Sequence, residues 1–301
     1  MGRKGKAIRS FPPPSLKKTR LHLLREETVG QGLKTLALLQ LQAARTELQA
    51  KNISAEAVHD VRTYIKKVRS IIQLAAPALG RNRRDHLIEI LSEVSARLAP
   101  IRDADARLQC LDMILGSSEF AFSDNGALRN GIADIAKQQR FNGIRKIPKI
   151  LELIKKMLKT VPDWPLDQLG EKDLRRRILR IYRRGRTTLD LCMVNDTQEV
   201  FHSWRKLVKH LWYSLRISAR FWPHEAAFLI TELNAISEFV GKERDFSLLV
   251  DSLRNGPRTK DSIRLITIID SHLPTLRAES LALGVRFYEA KPKTFISAME
   301  I

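Results

Sequence analysis

The chain has 301 residues and carries 53 lysines and arginines against 33 aspartates and glutamates, so its formal net charge is +20. Hydrophobic residues make up 44% of the sequence, which is enough to bury a core and excludes disorder along the whole chain. A charge excess of this size repels itself, and it is typical of proteins that bind nucleic acid, an anionic membrane surface or a polyphosphate.

The cysteines and the absence of long apolar runs bear on the cellular context. Cys110 and Cys192 are the only cysteines, and neither lies in a CxxC motif or a Cys/His cluster. The sequence therefore predicts neither a disulfide framework nor a thiolate metal site, and a reducing cytoplasm fits it best. No apolar run reaches about 18 uncharged residues, so we expect no transmembrane segment and no secretory signal.

Residues 1–26 are predicted to form a basic, flexible N-terminal arm, because they contain eight lysines and arginines, the run Pro12–Pro14 and too few apolar residues to order themselves. From residue 27 onward, apolar residues recur every three or four positions, which predicts long amphipathic helices. We expect these helices at residues 27–51, 55–76, 84–98, 101–115, 124–147, 148–160, 170–194, 198–220, 224–240, 244–254 and 258–287. Only residues 264–270 resemble a strand, and their isolation among helices favours a buried helical turn.

The predicted helix ends rest on capping residues and on prolines. Side-chain oxygens suited to capping the first turn belong to Ser54, Asp124 and Asp196. Helices are expected to stop or restart at the prolines, namely Pro77, Pro100, Pro148, Pro223 and Pro257.

Three short blocks recur in the same order at an almost constant spacing. The segment 59–69 aligns with 202–212, Arg102-Asp103 aligns with Arg244-Asp245, and Gly143-Ile-Arg145 aligns with Gly284-Val-Arg286. A duplication of about 140 residues explains these matches. We therefore expect an all-α chain of two tandem four-helix-bundle-like halves, residues 27–161 and 162–301, related by a pseudo-two-fold axis.

Each copy of the first block carries an apolar stripe with a cationic stripe one residue further on. The apolar stripes begin at Val58 and at Phe201, and their helical spacing places them in a bundle core. The cationic stripes comprise His59, Arg62, Lys66 and Arg69 in the first copy and His202, Arg205 and Lys209 in the second. Like charges at these spacings repel one another, so two such stripes suggest a negative partner along that edge.

The HxxRxxxKxxR block, the later Arg-Asp pair and the duplication together resemble the CHAD family, the conserved-histidine α-helical domains, from about residue 27 to residue 301. The resemblance implies two four-helix bundles with a basic channel that binds inorganic polyphosphate, and an association with polyphosphate granules. The ExExK signature of a polyphosphate-cleaving domain does not occur in the sequence. The chain is thus expected to be a stand-alone binding module without a catalytic role, a cofactor or a metal.

Carried over residue by residue, the resemblance implies that the residues of the two cationic stripes contact the ligand. It implies the same for Arg145 and Arg286. Trp212 replaces the last basic residue of the second stripe, so that helix is expected to bind less strongly or along a shifted path. Ala99 stands where the family often has glycine, which Gly241 keeps in the second half. The two Arg-Asp pairs are expected to fix turns by capping and ion pairing.

A run of arginines between residues 175 and 186 contains no acidic residue. Arg176, Arg180 and Arg183 share one helical face, and they are predicted to extend the channel, with a solvated face as the alternative.

Several other functions are compatible with parts of the sequence. A His-Asp metal hydrolase would use His22, His59, Asp60 and Asp105, but the second copy has Ser203 where the doublet requires aspartate. No GxxxxGK[ST] loop supports kinase chemistry. Nucleic-acid binding fits the charge equally well, although aromatic residues are only 6% of the chain. The arm is expected to make at most weak contact with nucleic acid or anionic lipid, and a scaffold role is a third alternative.

Overall fold

The computed structural model describes residues 19–116, 126–195 and 197–297. Within these residues the chain is all-α, which confirms the predicted fold class. The helices are Val29–Gln49 (α1), Ala55–Leu79 (α2), Arg81–Leu115 (α3), Gly126–Ile144 (α4), Ile147–Thr160 (α5), Glu171–Val194 (α6), Gln198–Ser218 (α7), Pro223–Arg254 (α8), Lys260–Phe287 (α9) and Pro292–Ser297 (α10). A 3-10 turn, Ala219–Phe221, joins α7 to α8. Residues 264–270 are helical, as expected, and lie within α9.

The N-caps agree with the sequence at one of the three predicted positions. Ser54 caps α2, and its hydroxyl accepts a hydrogen bond from the backbone N–H of Ala57 at 3.0 Å. The cap of α7 is Thr197, so the prediction of Asp196 is wrong by one residue. Asp196 itself and the predicted cap Asp124 lie outside the described residues.

Prolines mark fewer boundaries than predicted. Pro148 and Pro223 lie in the first turns of α5 and α8, and Pro257 precedes α9. The predicted stops at Pro77 and Pro100 are wrong, because both residues lie inside helices. A proline within a helix costs about 3 kcal/mol. Buried neighbours on both sides, such as Leu98 and Ile101 around Pro100, offset this cost by packing in the core.

Two pairs of predicted helices are in fact continuous. The segments 84–98 and 101–115 form the single helix α3, and the segments 224–240 and 244–254 form α8. Helix α10 was not predicted, and it packs through Phe295, whose ring stacks on Tyr182 with 3.8 Å between centroids.

Helices follow the same order in both parts of the chain. In the first part α1 packs on α2, α2 on α3 and α3 on α4, and in the second α6 packs on α7, α7 on α8 and α8 on α9. This is the order that a duplication would produce, and the duplication itself stays a prediction. The main core joins the two parts, and a smaller core around Leu111, Leu249 and Leu265 lies between α3, α4, α8 and α9.

Part of the segment expected to be an arm belongs to the packed chain. Leu21 and Leu23 are buried, and the N–H of Leu23 donates to the carbonyl of Ile217 at 3.0 Å. Packing therefore begins ahead of residue 27, while residues 1–18 lie outside the described residues.

The two parts meet along the helices that carry the cationic stripes. Helix α2 packs against α6 and α7, and α3 packs against α8. These contacts place the two stripes beside each other.

Candidate anion-binding site

The central cluster is a group of eight cationic or imidazole side chains where α2, α3, α7 and α8 meet. Positive charges within the group lower the pKa values of His59, Lys66 and His202, and no member is fully exposed. They are His59, Arg62, Lys66 and Arg102 from the first part of the chain, and His202, Arg205, Lys209 and Arg244 from the second.

The core positions this cluster through helical register. Val58, Val61 and Ile65 of α2 are at most 1% exposed, and Phe201 and Trp204 of α7 are at most 2% exposed. The next residue along each helix lies about 100° round the axis, at the edge of the core. Each cationic side chain is therefore half-buried, with its position fixed by an apolar neighbour.

Lys66 lies among other cationic side chains. Burial is the main reason that the pKa of its ammonium group falls well below the ordinary value, and the charges of Arg205 and Arg62 lower the pKa further. The pKa of Lys209 falls to about 8, again through burial first and the charge of Arg205 second. A cation in such surroundings is stabilised by an incoming negative charge.

The two histidines of the cluster are neutral at pH 7. Burial lowers the pKa of His59 and that of His202 to about 4 each. The neighbouring charge of Arg102 adds to this effect at His59, and that of Lys206 adds to it at His202. An anion next to either ring would raise its pKa and favour proton uptake.

Several donors in the cluster have no acceptor among the described residues. The buried Nη1 atoms of Arg62 and Arg102 have no hydrogen-bond partner there, nor does Nδ1 of His202. Buried polar groups are normally satisfied, and guanidinium groups favour anionic oxygens. These unpaired atoms therefore mark places where the oxygens of an anionic ligand would fit.

Two carboxylates lie among the cations. Asp103 Oδ1 is 3.8 Å from Arg62 Nη2. Burial raises the pKa of Asp245, against the opposing charges of Arg102 and Arg205. Glu243 and Glu238 also act on the cluster, through Arg205 and Lys209, and these four carboxylates are still fewer than its six lysines and arginines.

The Arg-Asp pairs fix no turn, so that part of their expected role was wrong: both pairs lie in the interior of continuous helices, α3 and α8. The expected ion pairing does occur at Asp103, through Arg62. Their arginines, Arg102 and Arg244, instead join the central cluster. Sequence reasoning missed them as site residues, although their place in the repeated blocks was a usable signal.

Arg205 is held in place by its surroundings in the second part of the chain. Its Nε donates to the carbonyl of Val240 at 3.1 Å. The charge of Glu243 also acts on Arg205. Glu243 is buried and accepts hydrogen bonds from Arg277 Nε at 3.0 Å and from Ser247 Oγ at 3.1 Å.

Trp212 changes the end of the second stripe. Its ring is buried between two cations, with Lys209 Nζ at 4.8 Å and Arg216 Cζ at 4.7 Å from the centroid. Arg216 thus supplies a guanidinium group one turn beyond the position that Arg69 holds on α2.

Three predicted ligand contacts lie outside the central cluster, namely Arg69, Arg145 and Arg286. Arg69 donates to Ser92 Oγ at 3.2 Å, on the side of α2 that faces α3. The guanidinium of Arg145 lies 5.8 Å from the ring centroid of Phe141. Arg286 forms a 3.5 Å ion pair with Glu232, and the part that Arg145 and Arg286 play in binding stays a prediction.

Three arginines were predicted to extend the channel from one face of α6. Arg176, Arg180 and Arg183 are exposed, and Arg176 Nη1 lies 3.6 Å from Asp173 Oδ1. Whether these three residues extend the site stays a prediction.

The repeated glycines have a structural role. A Cβ atom at Gly284 would lie 2.6 Å from Cζ2 of Trp204, and one at Gly143 would overlap Ile101. Both helices therefore approach their neighbours too closely for any side chain at these positions.

No group of three or more histidine, cysteine, aspartate or glutamate residues that could hold a metal ion occurs in the described residues. Among the residues of the metal-hydrolase alternative, Asp105 lies 3.8 Å from Nη1 of Arg140.

None of the described helices is both long enough and apolar enough to span a membrane.

Comparison with known proteins identifies the family and the fold. The family model of the CHAD domain matches residues 35–254, which is most of the chain. This chain belongs to the CHAD family. The crystal structure of the CHAD domain from the plant Ricinus communis is similar to it, with a TM-score of 0.66 and 16% sequence identity over 91% of this chain and 96% of that one. At this identity the likeness shows a shared CHAD fold.

No curated protein matches the chain. The CHAD domain is in general a non-catalytic binding domain, and polyphosphate binding is a known property of the family.

Proposed function

We propose that this CHAD protein binds inorganic polyphosphate at the central cluster. The observation that carries the proposal is the meeting of two cationic helices at a half-buried position, where the Nη1 atoms of Arg62 and Arg102 have no hydrogen-bond partner among the described residues. Neighbouring cations already lower one another's pKa there, so a polyanion relieves their repulsion as it binds.

The side chains of the cluster suit a chain of phosphates. Arg62 and Arg205 each offer a planar fork that bridges two oxygens, whereas Lys66 and Lys209 act as point charges. The partly buried position strengthens each interaction relative to water. Because the donors lie at fixed spacings on rigid helices, the site favours a linear polyanion over an isolated phosphate.

The test removes two charges from the cluster and two from elsewhere. The variant Arg62→Gln/Arg205→Gln is compared with Arg45→Gln/Arg258→Gln, which takes the same charge from exposed positions on α1 and ahead of α9. Each charged hydrogen bond contributes about 1.5–3 kcal/mol, so affinity for long-chain polyphosphate should fall about 100-fold or more in the first variant.

The control variant should lose only a few-fold in affinity, and thermal unfolding of both proteins checks that they are folded. Equal losses in the two variants would mean that the net charge acts diffusely, and the proposal would then fail.

We further propose that this binding recruits the protein to polyphosphate granules in the cytoplasm. The support is the same cluster together with the family's association with polyphosphate. In cells that accumulate granules, a fluorescent fusion of the full chain should co-localise with them, and Arg62→Gln/Arg205→Gln should become diffuse. A fusion that stays diffuse while the purified chain binds polyphosphate would overturn recruitment and leave binding intact.

A further inference from the structure

A second row of arginines continues from the central cluster along α6. We call Arg177, Arg180 and Arg184 the α6 row. Arg180 and Arg184 are exposed, whereas Arg177 is half-buried. No residue between 174 and 186 is acidic, so the row has no carboxylate on its own turns of helix.

Helix α6 is fixed against α2 by the first member of the row. Arg177 Nε donates to the carbonyl of Gln73 at 2.9 Å, and its Nη2 donates to the side-chain oxygen of Gln73 at 3.2 Å. Gln73 lies two turns of α2 beyond Lys66, on the same helix. The row is therefore held at a defined distance from the central cluster.

A histidine joins the other end of the row to the cluster. His210 Nδ1 lies 3.1 Å from Ser70 Oγ, and that hydroxyl donates to the carbonyl of Lys66 at 3.2 Å. The positive charges of Arg69 and Arg184 both act on His210. Arg184 is thus the end of the row that lies towards the cluster, and Arg177 is the far end.

The dimensions of the combined surface follow from helix geometry. Seven residues of α2 separate Lys66 from Gln73, and seven residues of α6 separate Arg184 from Arg177, so each segment is about 10 Å long. The stripe from His59 to Lys66 is also about 10 Å long. A ligand that follows α2 from His59 to the level of Gln73 therefore extends over about 20 Å.

We propose that the α6 row is a second subsite, which binds the part of a long polyphosphate chain that extends beyond the central cluster. This inference rests on the proposed function. The central cluster accommodates short chains, and the added subsite makes affinity increase with chain length.

The face of α6 that this subsite uses differs from the one predicted from the sequence. Arg177 and Arg184 lie about 100° round the helix from Arg176 and Arg183, and Arg180 lies between the two pairs. Charge lost at Arg176 and Arg183 is therefore a matched control on the same helix.

The experiment measures binding of long-chain polyphosphate and of tripolyphosphate to three full-length variants. Arg180→Gln/Arg184→Gln should weaken long-chain binding about three- to tenfold and leave tripolyphosphate binding unchanged. Arg176→Gln/Arg183→Gln should weaken long-chain binding clearly less than this, by no more than the diffuse loss expected for Arg45→Gln/Arg258→Gln, and should leave tripolyphosphate binding unchanged. The slope of log affinity against log salt for the long chain should also fall by about 1.4 in the first variant only, because two contacts with a single-stranded polyanion are lost.

The third variant, Arg62→Gln/Arg205→Gln, distinguishes failure of the second subsite from failure of the proposed function. If it weakens both ligands while the two α6 variants lose equal affinity for the long chain, the second subsite is overturned and the proposed function stands. If it binds both ligands as the unmodified protein does, the proposed function and the subsite both fail.

Discussion

The depressed pKa of Lys209 makes polyphosphate binding depend on pH above neutrality. In the free protein this pKa is about 8, compared with 10.5 for an ordinary lysine. Burial is the main cause, the charges of Arg205 and Arg216 add to it, and Glu238 opposes it. A bound polyanion favours the charged form, so it raises the pKa towards the ordinary value and binding takes up a proton.

The size of the effect follows from linkage. At pH 7 about nine-tenths of free molecules already hold the proton on Lys209, whereas at pH 9 only about a tenth do. If the complex restores a pKa near 10.5, affinity falls by about tenfold between pH 7 and pH 9. Lys66, whose pKa is also lowered, adds to the fall.

Titration of long-chain polyphosphate at constant ionic strength from pH 7 to pH 9 tests this reasoning, because internal phosphates do not titrate in that range. The variant Lys209→Arg keeps its charge at pH 9, so its affinity should fall about tenfold less than that of the unmodified protein. Lys172→Arg, at an exposed position on α6, should keep the original profile. A flat profile in the unmodified protein would refute the argument.

Three further substitutions test the effects of the cluster's charges and of helix packing on stability or on polyphosphate binding. Lys66→Met removes one of several mutually repelling cations. The free energy of unfolding in urea should therefore rise by about 1 kcal/mol, while polyphosphate affinity should fall tenfold or more. A variant that is both less stable and weaker in binding would contradict this. Asp245→Asn removes a carboxylate that faces the cluster, and polyphosphate titration should show affinity higher by about fivefold, whereas a loss would show that the carboxylate assists binding. Gly284→Ala places a methyl group against the buried ring of Trp204, which should cost about 1–3 kcal/mol in thermal unfolding. Gly131→Ala, with open space around it in α4, is the control and should stabilise slightly; equal effects would contradict the packing argument.

Periodicity predicted most of the helices, because their apolar stripes are buried in the core, but it divided α3 and α8 and missed α10. Val58, Val61 and Phe201 lie where the spacing placed them. At the prolines inside helices, packing overrides local preference. Pro100 stays inside α3 because the residues on both sides of it are buried, and no local rule accounts for that contribution.

The candidate site was predictable to the extent that it lies in the repeated blocks. The cationic stripes could be read along single helices, whereas their meeting depends on how α2 docks on α7. Arg102 and Arg244 were assigned to turns because the sequence does not reveal that α3 and α8 continue through them. The part of the α6 arginines that lies towards α2 was equally hidden, because several arginines share the exposed side of that helix and the contact of Arg177 with Gln73 depends on how α6 docks on α2.

Competition between two polyanions distinguishes a polyphosphate site from a diffuse positive charge. The full-length protein is bound to labelled long-chain polyphosphate at near-physiological salt, and double-stranded or single-stranded DNA is added at the same phosphate concentration. Most of the polyphosphate should stay bound, because the fixed donors of the central cluster suit a flexible chain without bases. Displacement of the polyphosphate in proportion to the added DNA would contradict this and would indicate a general polyanion-binding protein.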